Sequence, residues 1–173
     1  GSSDTVAAIN LAAGSVNLVI LQGSEIKQSQ TFSYKADNWQ DSLRAALRSI
    51  PAGCAVHLVL SAVRYQLVQI DKPALPEHEL LQALPWQIKD LVTIAPEDMV
   101  LDYIDLPGSN TQQAKINVVV CSYAWLKQLT TVVDTAGFAV NSIQPEEWLL
   151  SLIVPVSAQA TMLVVHQPEQ EML

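Results

Sequence analysis

Lys72–Tyr103 reads KPALPEHELLQALPWQIKDLVTIAPEDMVLDY, and its interpretation decides the fold. Pro73 and Pro76 lead into an apolar stripe at helical spacing: Leu80, Leu81, Leu84, Ile88 and Leu91. Pro96 closes the stripe. Asp98 to Leu106 then alternates as a strand does, with Met99, Leu101 and Tyr103 on one face and Val100, Asp102 and Ile104 on the other. The stretch holds no nucleophile–base pair, no glycine-rich phosphate loop and no metal-ligand spacing. It predicts a helix laid on a strand layer, presenting a surface and not a reaction centre. Pro85 falls inside the stripe, and a mid-helix proline costs ~3 kcal/mol by removing a backbone bond. A kinked helix, or two short ones meeting at Leu84-Pro85, is therefore expected. Trp86 beside it reads as a packed aromatic or as an interface anchor.

Working outward, Tyr65–Ile70 alternates before the stretch, and Lys115–Tyr123 reads as a strand after it. Trp125–Ala136 follows as a helix with Leu126, Leu129, Val133 and Ala136 on one face, and Gly137 suits its end. Residues 65–144 thus read β-α-β-β-α-β, a small sheet with two helices on one face. Upstream, TVAAINLAAGSVNLVILQ (residues 5–22) is a hairpin turning at Ala13-Gly14-Ser15, and Glu25–Tyr34 is a third, half-buried or edge strand. Asp37 is placed to cap a helix whose buried face is Trp39, Leu43, Ala46, Leu47 and Ile50, with Gln40 at capping-box spacing. Pro51 and Gly53 end that helix. Cys54–Leu60 is a compact apolar run, expected as a central strand covered on both faces. Downstream, Pro145-Glu146-Glu147 opens a helix whose apolar residues are Trp148, Leu149, Leu152 and Ile153, and Thr161–His166 reads as a last strand.

The chain has 173 residues, enough for one domain or one domain with an insert. Half of the residues are hydrophobic and only 15% are charged. That leaves more apolar surface than usual for a larger core or for a partner. The net charge is −8, and the nine Lys and Arg are scattered. Nucleic acid and anionic lipid are thereby disfavoured as partners, and a basic partner segment fits better. Cys54 and Cys121 sit singly in apolar strands and read as inert buried thiols in a reducing compartment. No apolar run approaches the ~18–20 residues of a membrane span. Gly1-Ser2 reads as a tag remnant, and the protein is expected to continue past Leu173.

Glu97, Asp98, Asp102 and Asp105 form an acidic cluster in sequence, read as a solvated strand face or as a site for a basic peptide or metal. His57, His78 and His166 have no ligand spacing, and Ser61 lacks the glycines of a nucleophile elbow.

The opening β-β-β-α-β, the inserted unit and two strings, ALPWQIKDLVTIAPEDMVLDY and VVDTAGFAVNSIQPEEWLL, together resemble the MshI-, PilM- and GspL-type platform proteins of type IV pili and type II secretion. The resemblance covers residues 5–166. It implies an α/β, actin-like and ribonuclease-H-like half carrying an inserted subdomain. Residues 1–64 would begin the half, 65–144 form the insert, and 145–173 return to it. It further implies a cytoplasmic, non-enzymatic scaffold at the inner-membrane face, docking an inner-membrane platform protein and an assembly ATPase, with a homodimer possible and no nucleic acid. PilM members can bind ATP through an Asp-x-Gly…Lys hairpin. Here Asn10 stands for the acid, Ala12 for the glycine and Asn17 for the lysine, so no cofactor is expected. A nuclease is disfavoured too, because the first strand offers Asn10 where metal chemistry needs a carboxylate. The groove between the half and the insert, near Tyr65, Leu67, Trp86 and Ile88, is the expected partner site.

Overall fold

The computed structural model describes residues 4–108 and 113–150. Two sheets carry the chain. The larger has five strands in the order β3-β2-β1-β4-β8, and the smaller has three in the order β5-β7-β6.

β1 (Thr5–Leu11) and β2 (Ser15–Gln22) form the expected hairpin, and Gly14 takes φ +76 at its tip, where a side chain would be strained. β3 (Glu25–Ser33) adds antiparallel to β2 as a polar edge strand. α1 (Trp39–Arg48) crosses back over the sheet, and β4 (Ala55–Leu60) pairs parallel with β1. Aliphatic residues of β1, β2 and β4 alternate inward: Ala7, Ile9, Leu11, Val16, Leu18, Ile20, Val56, Leu58 and Leu60 are all buried.

A 3-10 turn, Ala62–Arg64, leads to β5 (Gln66–Asp71), and α2 (Glu77–Ile88) follows. Next come β6 (Met99–Asp105) and β7 (Lys115–Ser122), which pairs antiparallel with both β5 and β6. α3 (Tyr123–Thr135) leads into β8 (Val140–Pro145), parallel to β4, and then α4 (Glu146–Leu150).

The residues bury into two cores. One joins the large sheet, α1, α3 and one face of the small sheet: Val100, Ile104, Val119 and Cys121. The other lies between α2 and the opposite face: Leu80, Leu84, Ile88, Met99, Leu101, Tyr103, Ile116, Val118 and Val120. β7 is thus buried on both faces from Val118 to Cys121 because it serves both cores.

Several expectations change. Of the two alternatives at Pro85, two short helices are set aside: α2 is one helix with Pro85 inside it, and Leu80, Leu84 and Ile88 all bury on the small sheet. α3 does not share the face that carries α2; it packs beside α1 in the large core, and β8 joins the large sheet. The elements read as one unit over 65–144 are therefore divided between the two sheets. Asp37 caps nothing: α1 starts two residues later behind Asn38, with no side-chain cap, and the Asp37 carboxylate lies 3.6 Å from Arg64. β4 alternates buried and half-buried residues and is not sealed on both faces. The strand read at Thr161–His166, Leu152 and Ile153, and Ser109-Asn110 of the expected turn lie outside the described residues.

Leu84 has no exposed surface and sits at the centre of the smaller core. Leu84→Ala is expected to lower unfolding free energy by about 2–5 kcal/mol, read from urea denaturation, because a cavity adds to the lost transfer energy.

Candidate functional site

The hairpin tip is where a nucleotide phosphate would approach in an actin-like half. Here the tip is tied into its own protein. Ala12 N–H donates to the Ser15 carbonyl (3.0 Å), and Tyr34 N–H donates to the Gly14 carbonyl (2.9 Å). The Tyr34 hydroxyl donates to the Ala12 carbonyl (2.6 Å). Asn10 faces Asn17 across the hairpin, and its Oδ1 accepts from the Ser61 hydroxyl (3.1 Å). Neither amide supplies the charge that a magnesium ion or a phosphate needs.

Arg64, which the sequence did not single out, reaches towards the tip through Tyr34. Its Nη2 donates to the Tyr34 hydroxyl (2.7 Å), and its guanidinium lies 5.1 Å from the Trp125 ring centroid and 5.9 Å from that of Trp39. Those two rings are 5.4 Å apart. Only 13% of the Arg64 side chain is exposed, so its charge is spent inside and is not presented to a ligand. Arg64 Nε and Trp125 Nε1 are enclosed without a hydrogen-bond partner, a cost that the cation–π contacts offset. No sequence pattern marks Arg64, because its partners lie in residues 34–39 and at Trp125, far from it in the chain.

The four residues expected to line a partner groove do not meet. Tyr65 is 6% exposed, and its hydroxyl donates to Glu147 Oε1 (3.3 Å). Burial, more than Glu147, pushes the Tyr65 phenol up to about 12. Leu67 packs half-buried against the larger core. Ile88 has no exposed surface and is held in the smaller core on the opposite face. Trp86 is 64% exposed, pointing away from that core, so it is not a packed aromatic. Tyr65 lines a cleft of about 190 Å³ with Val63, Arg64, Gln66, Ile94, Ser122 and Trp125. Gln66 also binds Thr93 twice, through its side-chain amide and carbonyl, which pins the segment after α2 against β5.

The acidic residues do not converge. Glu97 is exposed. Asp98 accepts from the Ser122 hydroxyl (2.7 Å) and Ala124 N–H (3.0 Å) at the start of α3. Asp102 is 3% exposed and accepts from Tyr103 N–H (2.8 Å). Asp105 pairs with Lys72 (2.9 Å), and that bond raises the lysine pKa. Among the described residues no group of three His, Cys, Asp or Glu is placed to hold a metal. His57 Nδ1 is 2.6 Å from the Ser142 hydroxyl and ties β4 to β8. Cys54 and Cys121 are free and buried, and burial pushes the Cys121 thiol up to about 12.

In sequence, the chain matches no protein-family model and no curated protein. In structure it is similar to the cytoplasmic domain of EpsL, an inner-membrane component of the type II secretion system of Vibrio cholerae. The TM-score is 0.65 and the identity 16%, over 82% of this chain and 57% of that one. It is also similar to a PilM–PilN type IV pilus biogenesis complex, with TM-score 0.64 and 15% identity over 83% and 48%. A third likeness is to a Bacteroides thetaiotaomicron protein with an actin-like ATPase fold, with TM-score 0.50 and 12% identity over 88% and 56%. The fold is accordingly α/β and actin-like. The chain spans about half the length of these structures. Among the described residues no helix is long and apolar enough to cross a membrane.

Two outcomes follow from the site. Arg64→Ala is expected to cost about 1–3 kcal/mol by chemical denaturation, and Arg64→Lys to recover less than half, since an ammonium lacks the planar face that lies on an indole and the fork that reaches Tyr34. The Tyr65 phenol holds its proton more tightly when folded. Its contribution is therefore complete below its ordinary value of 10.0 and is lost as pH rises towards about 12. Tyr65→Phe is expected to flatten that alkaline decline in thermal midpoint.

Proposed function

We propose that this chain is a non-enzymatic scaffold domain of an assembly platform of the type IV pilus or type II secretion kind, MSHA-type pili included. In this reading it works at the cytoplasmic face of the inner membrane, where it docks an inner-membrane platform protein and an assembly ATPase. The observation that carries the reading is the hairpin tip, where uncharged Asn10 and Asn17 face each other and the nearby Arg64 side chain is only 13% exposed. Without a charged side chain the tip offers a phosphate only backbone N–H groups. The likeness in fold to the EpsL domain and to the PilM–PilN complex supports the same reading.

Trp86 belongs to the docking surface in this reading. It is the exposed tryptophan of the described residues, and a buried-on-binding indole is the commonest energetic anchor of an interface. A synthetic peptide from the cytoplasmic end of the inner-membrane partner is expected to bind, and Trp86→Ala to weaken it about tenfold or more by fluorescence titration. Unchanged affinity would remove Trp86 from the site.

The second reading, an actin-like ATP-binding protein, is favoured by the fold. Titrating Mg-ATP into the full-length protein by calorimetry separates the two. The scaffold reading expects no saturable heat, and micromolar binding would replace it with the second.

A further inference from the structure

The four sheet edges are not managed alike. β3 carries Lys27 and a register break opposite Ile20/Leu21, and β8 ends in Pro145 beyond a break at Val56/His57. The two edges of the small sheet can be resolved bond by bond. Lys72 N–H donates to the Ala114 carbonyl, and Leu106 N–H donates to the Lys115 carbonyl. In an antiparallel ladder, bonded and non-bonded pairs alternate. The pairs Gln66–Val120, Val68–Val118 and Ile70–Ile116 are therefore bonded to β7, and Leu67, Gln69 and Asp71 turn both backbone groups outward. On β6 the outward set is Met99, Leu101, Tyr103 and Asp105.

The β6 edge is closed. Its residues are buried from Met99 to Ile104, and the Asp102 carboxylate accepts the outward N–H of Tyr103. An inward-turned charge of this kind is a known device against strand pairing. β5 has no such device: from Leu67 to Ile70 it holds no charge, no proline and no bulge. Among the described residues nothing bonds the outward groups of Leu67 or Gln69. Val68 and Ile70 extend the small core to this rim.

We propose that β5 takes up an extended segment of a partner protein as a fourth strand, bonded to the backbone of Leu67 and Gln69. The end charges are already satisfied, Asp71 by Lys115 and Lys72 by Asp105, so the added strand is uncharged opposite Leu67–Ile70. Its alternate side chains facing the Val68 and Ile70 side are apolar, continuing that rim. A single strand needs only ~4.8 Å of clearance beyond the edge. The inference rests on the docking reading for what the partner is, and on β5 alone for how it binds.

The test uses the full chain and an uncharged hexapeptide of alternating threonine and valine. Without peptide, the Leu67 and Gln69 amides are expected to exchange faster than those of Val68 and Ile70. Saturating peptide is expected to slow them about tenfold or more. Gln69→Pro deletes one outward N–H and leaves the bonds to β7 intact, so it should abolish binding with an unchanged thermal midpoint. Equal exchange across β5 in the free protein, or no slowing with peptide, overturns the inference even if Gln69→Pro does not fold. So does a dimer in sedimentation that Gln69→Pro dissolves, which would make a second copy the occupant. If the membrane partner's peptide binds and Gln69→Pro leaves it unchanged, strand addition fails and the scaffold reading stands. If the hexapeptide protects Leu67 and Gln69 and the partner's peptide does not bind, the scaffold reading fails and strand addition stands.

Discussion

Arg64 laid against both Trp39 and Trp125, which also touch each other, is the contact on which the rest of the arrangement depends. It joins the start of α1, the start of α3, the end of β3 and the turn that leads into the small sheet. A guanidinium is the group for this place, because it is weakly hydrated, planar, and can stack while its edge still donates. Its hydrogen bond to Tyr34 carries the constraint on to the Ala12 carbonyl, 22 residues from Tyr34 in sequence. The hairpin tip is thereby linked to the packing of the core.

The second constraint is β7. Val119 and Cys121 look into the larger core while Ile116, Val118 and Val120 look into the smaller. Pulling the small sheet away would expose one row of fully buried side chains whichever core was opened, at roughly 25 cal/mol per Å² of apolar surface. Two cores that share a strand therefore move together. That makes α2 and β5 a rigid extension of the large sheet, well suited to holding a surface in place.

Much of this was legible in the residues. The hairpin, the apolar face of α1, the strand alternation of β6 and the burial of Leu80, Leu84 and Ile88 all follow from local periodicity. What was missed is non-local. Periodicity says that Leu126, Leu129 and Val133 bury, but not whether they bury on the small sheet or beside α1. β8, VNSIQP, carries no pattern that selects a sheet, and only its pairing with β4 decides. Trp86 and Ile88 are two residues apart on one helix, so they face different ways and cannot both line a cleft. Arg64 and the Asp102–Tyr103 bond leave no trace in spacing at all, since each depends on where the backbone turns.

Charge and edge then divide the work of recognition. The cations on the small sheet are spent on neighbours, Lys72 on Asp105 and Lys115 on Asp71, while the chain as a whole keeps a net charge of −8. An unbalanced negative surface acts at a distance: it draws basic flanks and repels acidic ones, over about a Debye length of ~8 Å at physiological salt. It cannot fix register, because its carboxylates are dispersed and several are already bonded. Backbone groups act only in contact, but they impose direction and spacing. In the proposed strand addition, charge would act before contact and main-chain geometry would then fix the register.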